Sequence, residues 1–214
     1  MLAFIDLGAQ RRHLGSRIDE AVARVLAHCQ FIMGPEVAQL ERDLSQFCGA
    51  AHTLSCANGT DALGLLLMAK EVKAGDAVLC PSFTFAATAE VIAWMGATPI
   101  FVDVHADTFN VDPESLKAGI ATGKKLGLNP VGFISVDLFG QPADYDRLEP
   151  ICAANNLWLL SDAAQSFGAT YKGRKIGTIG FATATSFFPA KPLGCYGDGG
   201  AVFTEDSALL DVLK

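Results

Sequence analysis

Hydrophobic residues in the first part of the chain recur at helical spacing. One series consists of Ile18, Val22, Val25, Leu26 and Cys29, and a second consists of Val37, Leu40, Leu44 and Phe47. Apolar residues three and four positions apart share one face of a helix. Pro35 stands near the start of the second series and Gly49 just past its end, where proline and glycine commonly mark helix boundaries. The pattern predicts two amphipathic helices at the beginning of the chain.

From residue 53 onwards, short apolar runs alternate with helical stretches. Strands are predicted at 53–56, 77–80, 99–102, 133–136 and 158–161, with helices at about 61–69, 86–95, 113–120 and 144–155. These strands are apolar on both faces, which is typical of strands buried in a parallel sheet. We therefore expect an α/β fold in which a mostly parallel sheet carries helices on both faces, a three-layer αβα arrangement.

The last part of the chain has a different pattern, with short strands, turns and many glycines. Residues 171–175 read as a tight turn, and short strands at 184–188 and 201–204 are joined by glycine-rich loops. A new helical pattern around 208–213 has barely begun when the sequence stops at Lys214. We expect from this that the chain is cut from a longer protein.

Composition narrows the class of protein. The chain has 214 residues, of which 50% are hydrophobic, enough for one large domain. No run of 18 uncharged apolar residues occurs and the N-terminus lacks a basic, then apolar, leader, so we expect a cytoplasmic protein. The net charge of −7 argues against general binding to nucleic acid or to a membrane surface. A local phosphate site at a helix N-terminus remains compatible with it.

Six cysteines are widely spaced and form no CxxC pair. They are expected to be small buried hydrophobes in a reducing compartment, and they indicate no metal site.

Ligands of open parallel sheets bind at the carboxyl ends of the strands, so polar residues at those positions are the first candidates for a site. Asn58, Gly59, Thr60 and Asp61 follow a strand and open a helix. Glycine allows close approach of a phosphate, which the Thr60 hydroxyl and the free N–H groups could bind. The alternative is an ordinary helix cap. The segment lacks the lysine of a P-loop, so binding of a nucleoside triphosphate is not expected.

Asp162 follows the very apolar run 158–160, and Gln165 comes three residues later. A carboxylate at this position could hold a protonated pyridine nitrogen, and Gln165 could reach the same ring. The alternative is that Asp162 caps a helix.

Lys191 stands between two prolines, after an apolar strand that ends near Ser186 and before a glycine-rich loop. A lysine in a desolvated pocket becomes a nucleophilic amine that forms Schiff bases. The alternative is a solvated surface lysine. Phe85, at another strand end, could stack on a planar ring or could be a core residue.

Taken together, these segments resemble the DegT-type (DegT/DnrJ/StrS) sugar aminotransferases, in that family's order and spacing. The matching segments are 4–7, 34–37, 58–63, 81–85, 96–99, 162–165 and 186–200. The resemblance implies the large domain of a fold-type-I transferase that depends on pyridoxal 5'-phosphate. It implies that Lys191 carries the cofactor, that Asp162 partners the pyridine nitrogen and that Gln165 neighbours the ring. By the same resemblance, Gly59, Thr60 and Ser186 cradle the phosphate and Phe85 stacks on the ring.

Some positions are similar to one branch of this family. Many relatives have His-x-Tyr-Gly where this chain has 137–140, and Asn where it has Pro192. Asp137, Pro192 and Cys195 resemble the branch that aminates the 3-keto group of UDP-linked 2-acetamido-2-deoxy-hexuronic acids for bacterial surface polysaccharide such as O-antigen. The resemblance implies glutamate as amino donor and a homodimer in the full-length form.

Three alternatives remain at this point: an aminotransferase for a 4-keto nucleotide sugar, a sugar 3-dehydratase and a non-catalytic regulator that binds cofactor or nucleotide sugar. The dehydratase branch has histidine in place of the lysine, so Lys191 argues against it. The expected organisation is an N-terminal helical segment at 1–34 and a truncated cofactor-binding domain at 35–214, without the small C-terminal domain of the family.

Overall fold

A computed structural model describes residues 5–214 of the protein. Residues 1–4, including Phe4 of the matching segment 4–7 and the start of the segment 1–34, lie outside the described residues. The described residues begin with three helices, α1 (Leu7–Leu14), α2 (Arg17–His28) and α3 (Pro35–Cys48). The sequence pattern predicted α2 and α3, and α3 is followed by Gly49 in the left-handed conformation at φ 82°.

Strands and helices then alternate. Their bounds are β1 (His52–Cys56), α4 (Gly59–Ala69), β2 (Asp76–Pro81), α5 (Ala87–Trp94), β3 (Thr98–Val102), α6 (Pro113–Lys125), β4 (Asn129–Val136), α7 (Tyr145–Ala154) and β5 (Trp158–Asp162). A hairpin of β6 (Thr170–Tyr171) and β7 (Arg174–Lys175) occupies the predicted tight turn. The remaining elements are β8 (Ala182–Ser186), β9 (Gly200–Thr204) and α8 (Ser207–Leu213).

Seven strands form one sheet in the order β1-β9-β8-β5-β4-β2-β3. The strands from β8 to β3 are parallel to their neighbours, whereas β9 runs antiparallel to both β8 and β1. The expected mostly parallel sheet is confirmed. The antiparallel edge is an addition that the sequence pattern did not predict.

Both faces of the sheet are covered by helices, as expected for three layers. On one face, α6 and α7 pack on the sheet through side chains such as Leu116 and Leu148. On the other, α4, α5 and α8 pack through Leu66, Ile92 and Leu209. The carboxyl ends of the parallel strands are thereby left as an open edge between the two helical layers.

The cysteines are all free thiols, but they are not all buried. Cys48, Cys80 and Cys152 are buried, while Cys29 is exposed at the end of α2 in a left-handed conformation. The expectation of small buried hydrophobes is therefore wrong for Cys29. Burial raises the pKa of the Cys80 thiol to about 12, and that of Cys152 to about 12 as well, which suppresses the reactive thiolate. Within residues 5–214, no helix combines the length and the apolar character needed to cross a bilayer.

Candidate active site

The carboxyl ends of the central strands surround a cavity of about 500 Å³. All seven residues that the resemblance assigned to the cofactor line it, namely Gly59, Thr60, Phe85, Asp162, Gln165, Ser186 and Lys191, whereas Asp137, Pro192 and Cys195 do not. Its volume lies in the range of sites for small molecules and cofactors.

The N-terminus of α4 forms one wall of the cavity. The Asn58 side chain accepts a hydrogen bond from the Asp61 N–H at 2.8 Å, and the helix's own bonding starts with Ala62 N–H to the Asn58 carbonyl at 3.1 Å. The N–H groups of Gly59 and Thr60 precede that first bond and remain for a ligand. Together with the helix dipole, these N–H groups favour the binding of an anion at this wall. The helix cap and the anion site, which the sequence analysis treated as alternatives, are therefore both present in the first turn of α4.

Ser186, at the end of β8, faces this helix start. A Cβ atom on Gly59 would lie 2.6 Å from the Ser186 Cβ, so only glycine allows this close approach. The Ser186 hydroxyl oxygen accepts from the Phe188 N–H at 3.2 Å, which leaves its hydrogen to donate. The start of α4 and the end of β8, which are far apart in the sequence, therefore both present hydrogen-bond donors to the cavity.

Asp162 ends β5 and is buried at the floor of the cavity. Its two carboxylate oxygens accept hydrogen bonds from the Thr88 hydroxyl at 3.1 Å and from the Ala164 N–H at 3.2 Å. Burial raises the pKa of Asp162, while these hydrogen bonds and the positive charge of Lys191 act in the opposite direction. Residues 164–168 form a turn, so the alternative that Asp162 caps a helix is wrong.

Thr88 was missed by sequence reasoning. It is fully buried in the first turn of α5, and its hydroxyl lies 3.0 Å from that of Thr84, four residues earlier. The only sequence signal for Thr88 was its spacing of four residues from Thr84, just after the end of β2. Trp94, at the end of α5, also lines the cavity and was read only as part of a covering helix.

Gln165 is fixed in one orientation. Its side-chain oxygen accepts from the Phe139 N–H at 2.6 Å, so its amide NH2 is left to donate. Phe139 and Gly140 both adopt left-handed conformations, with φ of 56° and 89°, to present that N–H.

Lys191 lies on a loop closed by backbone hydrogen bonds. Phe187 N–H donates to the Gly199 carbonyl at 2.7 Å, and Lys191 N–H donates to the Phe188 carbonyl at 2.8 Å. The Lys191 side chain is partly buried and lines the cavity that contains Asp162, which disfavours a freely solvated surface lysine. Phe85 is 69% exposed, so it is not a core residue. Its ring lines the cavity and has a face open to it.

Comparison with known proteins adds the family. Residues 12–214 match the model of the DegT/DnrJ/EryC1/StrS aminotransferase family. A Pseudomonas aeruginosa protein described as UDP-2-acetamido-2-deoxy-3-oxo-D-glucuronate aminotransferase is 47% identical over 214 residues, which are 100% of this chain and 58% of that protein.

Two solved structures illustrate the similarity of the fold. A DegT/DnrJ/EryC1/StrS aminotransferase from Brucella abortus is 50% identical, with a TM-score of 0.97 over 100% of this chain and 57% of its own. A Bacillus subtilis protein, NtdA, described with bound cofactor PMP, is 28% identical, with a TM-score of 0.82 over 92% of this chain and 43% of its own. The chain thus spans about half the length of these relatives. The matched family model and the shared fold together place this chain in the DegT/DnrJ/EryC1/StrS aminotransferase family.

Proposed function

We propose that this chain is the cofactor-binding part of a pyridoxal 5'-phosphate-dependent aminotransferase that acts on a nucleotide-linked keto sugar. One observation supports this most strongly: a lysine amine, a buried carboxylate and a helix N-terminus with added hydroxyls line one cavity. Residues 35–214 would form the cofactor-binding domain, preceded by the helical segment 1–34.

The residues fit the three functional parts of this cofactor. The N–H groups of Gly59 and Thr60, with the hydroxyls of Thr60 and Ser186, provide donors for a phosphate. Asp162 would hold a proton on the pyridine nitrogen, because its buried carboxylate is anchored by Thr88 and Ala164. Gln165 would donate its NH2 group to the ring, and Phe85 would stack on the ring face.

The cofactor, when bound, withdraws electrons from the carbon that loses a proton during transamination. Lys191 Nζ is the amine that would hold the cofactor covalently, and as a free amine it would carry the proton between carbon atoms. The partly buried position of Lys191 keeps that amine inside the cavity. Lys191 and Asp162 line the same cavity, and the positive charge of the lysine counteracts the rise in the pKa of Asp162 that burial causes.

The proposed substrate is UDP-2-acetamido-2-deoxy-3-oxo-hexuronic acid, with glutamate as amino donor, in the biosynthesis of bacterial surface polysaccharide. The name of the Pseudomonas relative and its identity of 47% support this choice. We further propose that the full-length protein acts as a homodimer. A 4-keto nucleotide sugar and a regulatory role without catalysis are the competing functions.

Trapping the cofactor tests the assignment of Lys191. Borohydride reduction of the protein loaded with pyridoxal phosphate, followed by peptide mass mapping, should place the pyridoxyl group on Lys191. The variant Lys191→Arg should lose the label, and the control Lys172→Arg, at an exposed lysine paired with Asp146, should keep it. A label that persists in Lys191→Arg would overturn the proposal.

Mass spectrometry of the sugar product tests the substrate. The full-length protein is expected to aminate a UDP-linked 3-keto hexuronic acid in the presence of glutamate, and not the matching 4-keto sugar. Amination of the 4-keto sugar alone would favour the first competing function. Cofactor binding by the full-length protein without amination of either sugar would favour the regulatory role.

A further inference from the structure

Asp137 is a buried carboxylate that does not line the cavity. It follows β4 directly, next to Asp162 on β5, and its N–H donates to the Asp162 carbonyl at 3.3 Å. Its side chain is 0% exposed. A carboxylate in this position needs several donors to offset the loss of water.

Three donors meet the Asp137 carboxylate. One oxygen accepts from the Ala143 N–H at 2.8 Å and from the Tyr145 hydroxyl at 2.6 Å. The other accepts from the Ser166 hydroxyl at 2.8 Å. Ser166 belongs to the turn that follows Asp162, so this one carboxylate connects the loop after β4, the start of α7 and the turn after β5.

Asn110 fixes the same loop from the other side. Its side-chain NH2 donates to the carbonyls of Gln141 and Pro142, at 2.9 and 3.2 Å, and its oxygen accepts from the Leu138 N–H at 3.1 Å. The left-handed conformation of Phe139 is therefore held by contacts at both ends of the loop. Unfavourable backbone conformations persist where the surroundings determine them in this way.

The loop and the turn after β5 are joined at two adjacent residues. Phe139 N–H donates to the Gln165 side chain, and the Ser166 hydroxyl donates to Asp137. Gln165 lines the cavity whereas Ser166 is buried behind it. Movement of Ser166 would therefore move the residue that faces the ligand.

We propose that Asp137 is a positioning residue: through Ser166 it holds the turn after β5 so that Gln165 and Asp162 face the bound cofactor. This proposal rests on the proposed function, since it assigns a role toward pyridoxal phosphate. Functional groups must be held within about 0.5 Å of their productive geometry, and such precision comes from buried hydrogen bonds behind the site.

If the network only stabilised the fold, its loss would lower stability without a specific effect on cofactor binding. Two serines allow these two roles, stabilisation and positioning, to be distinguished. Ser161 and Ser166 are both buried, and each hydroxyl is bonded to the network, Ser161 through Tyr145 at 2.9 Å. Only Ser166 lies on the turn that carries Gln165. Ser161→Ala is thus a matched control for Ser166→Ala.

The experiment measures thermal unfolding, the affinity for pyridoxal phosphate and the visible absorption band of the bound cofactor in both variants. Both variants should lose a similar amount of thermal stability, because each loses one buried hydrogen bond. Ser166→Ala alone should bind pyridoxal phosphate about tenfold more weakly and shift the absorption band, since misplaced contacts weaken binding steeply. Ser161→Ala should keep the affinity and the band of the wild type.

Equal effects of the two variants on affinity and absorption would overturn the positioning role while leaving the proposed function intact. A wild-type protein that binds no pyridoxal phosphate would overturn both. If Ser166→Ala does not fold, Ser166→Cys, which fills the space of the hydroxyl with a slightly larger group and a weaker donor, takes its place. Failure of both to fold would mark Ser166 as a residue of the folding core and would also overturn the proposal.

Discussion

At the scale of single residues, Asp162 combines burial with hydrogen bonds that leave it aimed into the cavity. Its oxygens are held by Thr88 and Ala164, so the side chain has no freedom to turn away. Under the proposed function this rigidity keeps a negative charge against the ring nitrogen. A preorganised charge is most effective where water is excluded.

Replacing that charge should affect the rate far more than cofactor binding. In the full-length protein, Asp162→Asn is expected to lower kcat about 10²- to 10³-fold, equivalent to about 3–4 kcal/mol, because the neutral amide cannot retain the ring proton. Borohydride labelling of Lys191 should persist. Asp76→Asn is the control: both residues are 7% exposed, but Asp76 lies at the start of β2, away from the cavity. A rate within about threefold of wild type for Asp162→Asn would mean that another group protonates the ring.

At the scale of elements, the start of α4 and the end of β8 meet at Gly59 and Ser186. Gly59→Ala would put a Cβ atom 2.6 Å from the Ser186 Cβ, so the helix must move away from the strand. We expect at least tenfold weaker binding of pyridoxal phosphate, measured by absorption titration, because the phosphate donors then separate.

Gly64, in the interior of the same helix, provides the control. A Cβ atom there would lie 3.5 Å from the nearest atom, in the Trp94 ring, which is an ordinary contact. Gly64→Ala should keep the cofactor affinity and raise the stability by about 0.5–1 kcal/mol, as alanine is the better helix former. Unchanged cofactor binding in Gly59→Ala would show that the close contact has no part in the site.

The sequence predicted those elements whose residues form a recognisable local pattern. It did not predict features that depend on contacts between distant segments. Strands β2 to β5 are continuous apolar runs, and α3 carries its own boundary residues, so local patterns sufficed. By contrast α1, with the sequence LGAQRRHL, has no apolar periodicity and was missed. The antiparallel pairing of β1 with β9 joins distant segments, and nothing local specifies it.

The same distinction applies to the site. Lys191, Asp162 and Gly59 were found because they stand in recognisable motifs. Thr88 was not, because its bond to Asp162 spans 74 positions and any buried hydroxyl could have made it. The roles of Asp137 and Ser166 likewise depend on side-chain directions that only the folded structure gives.

At the scale of the whole molecule, Asp137 makes stability depend on pH. Burial raises its pKa from 3.8 to about 6, although hydrogen bonds from Tyr145, Ala143 and Ser166 counteract this and nearby Asp162 adds to it. Between pH 3.8 and about pH 6, the folded state therefore binds more protons than the unfolded state. The contribution of Asp137 to stability is therefore full below pH 3.8 and is lost as the pH rises through about 6.

Asp137→Asn removes this titration and keeps the shape of the side chain. Relative to the variant, the wild type should lose about 2 kcal/mol of unfolding free energy between pH 4.5 and pH 7.5. Urea unfolding of both proteins at the two pH values measures the difference. A difference that is the same at both pH values would contradict the raised pKa.

The position of β9 between β8 and β1 has a consequence for biosynthesis. Gly59 follows β1, Ser186 ends β8, and among residues 5–214 the only strand that pairs with β1 is β9. A ribosome adds about 5–20 residues per second, so β1 emerges well before its partner β9 does. Contacts between such distant segments also form slowly, because a long loop must close first. Under the proposed function, the donors that would hold the phosphate stand on either side of β9, at Gly59 and Ser186. We therefore expect this part of the site to form only after β9 has been synthesised, which makes cofactor binding a late step in the folding of the protein.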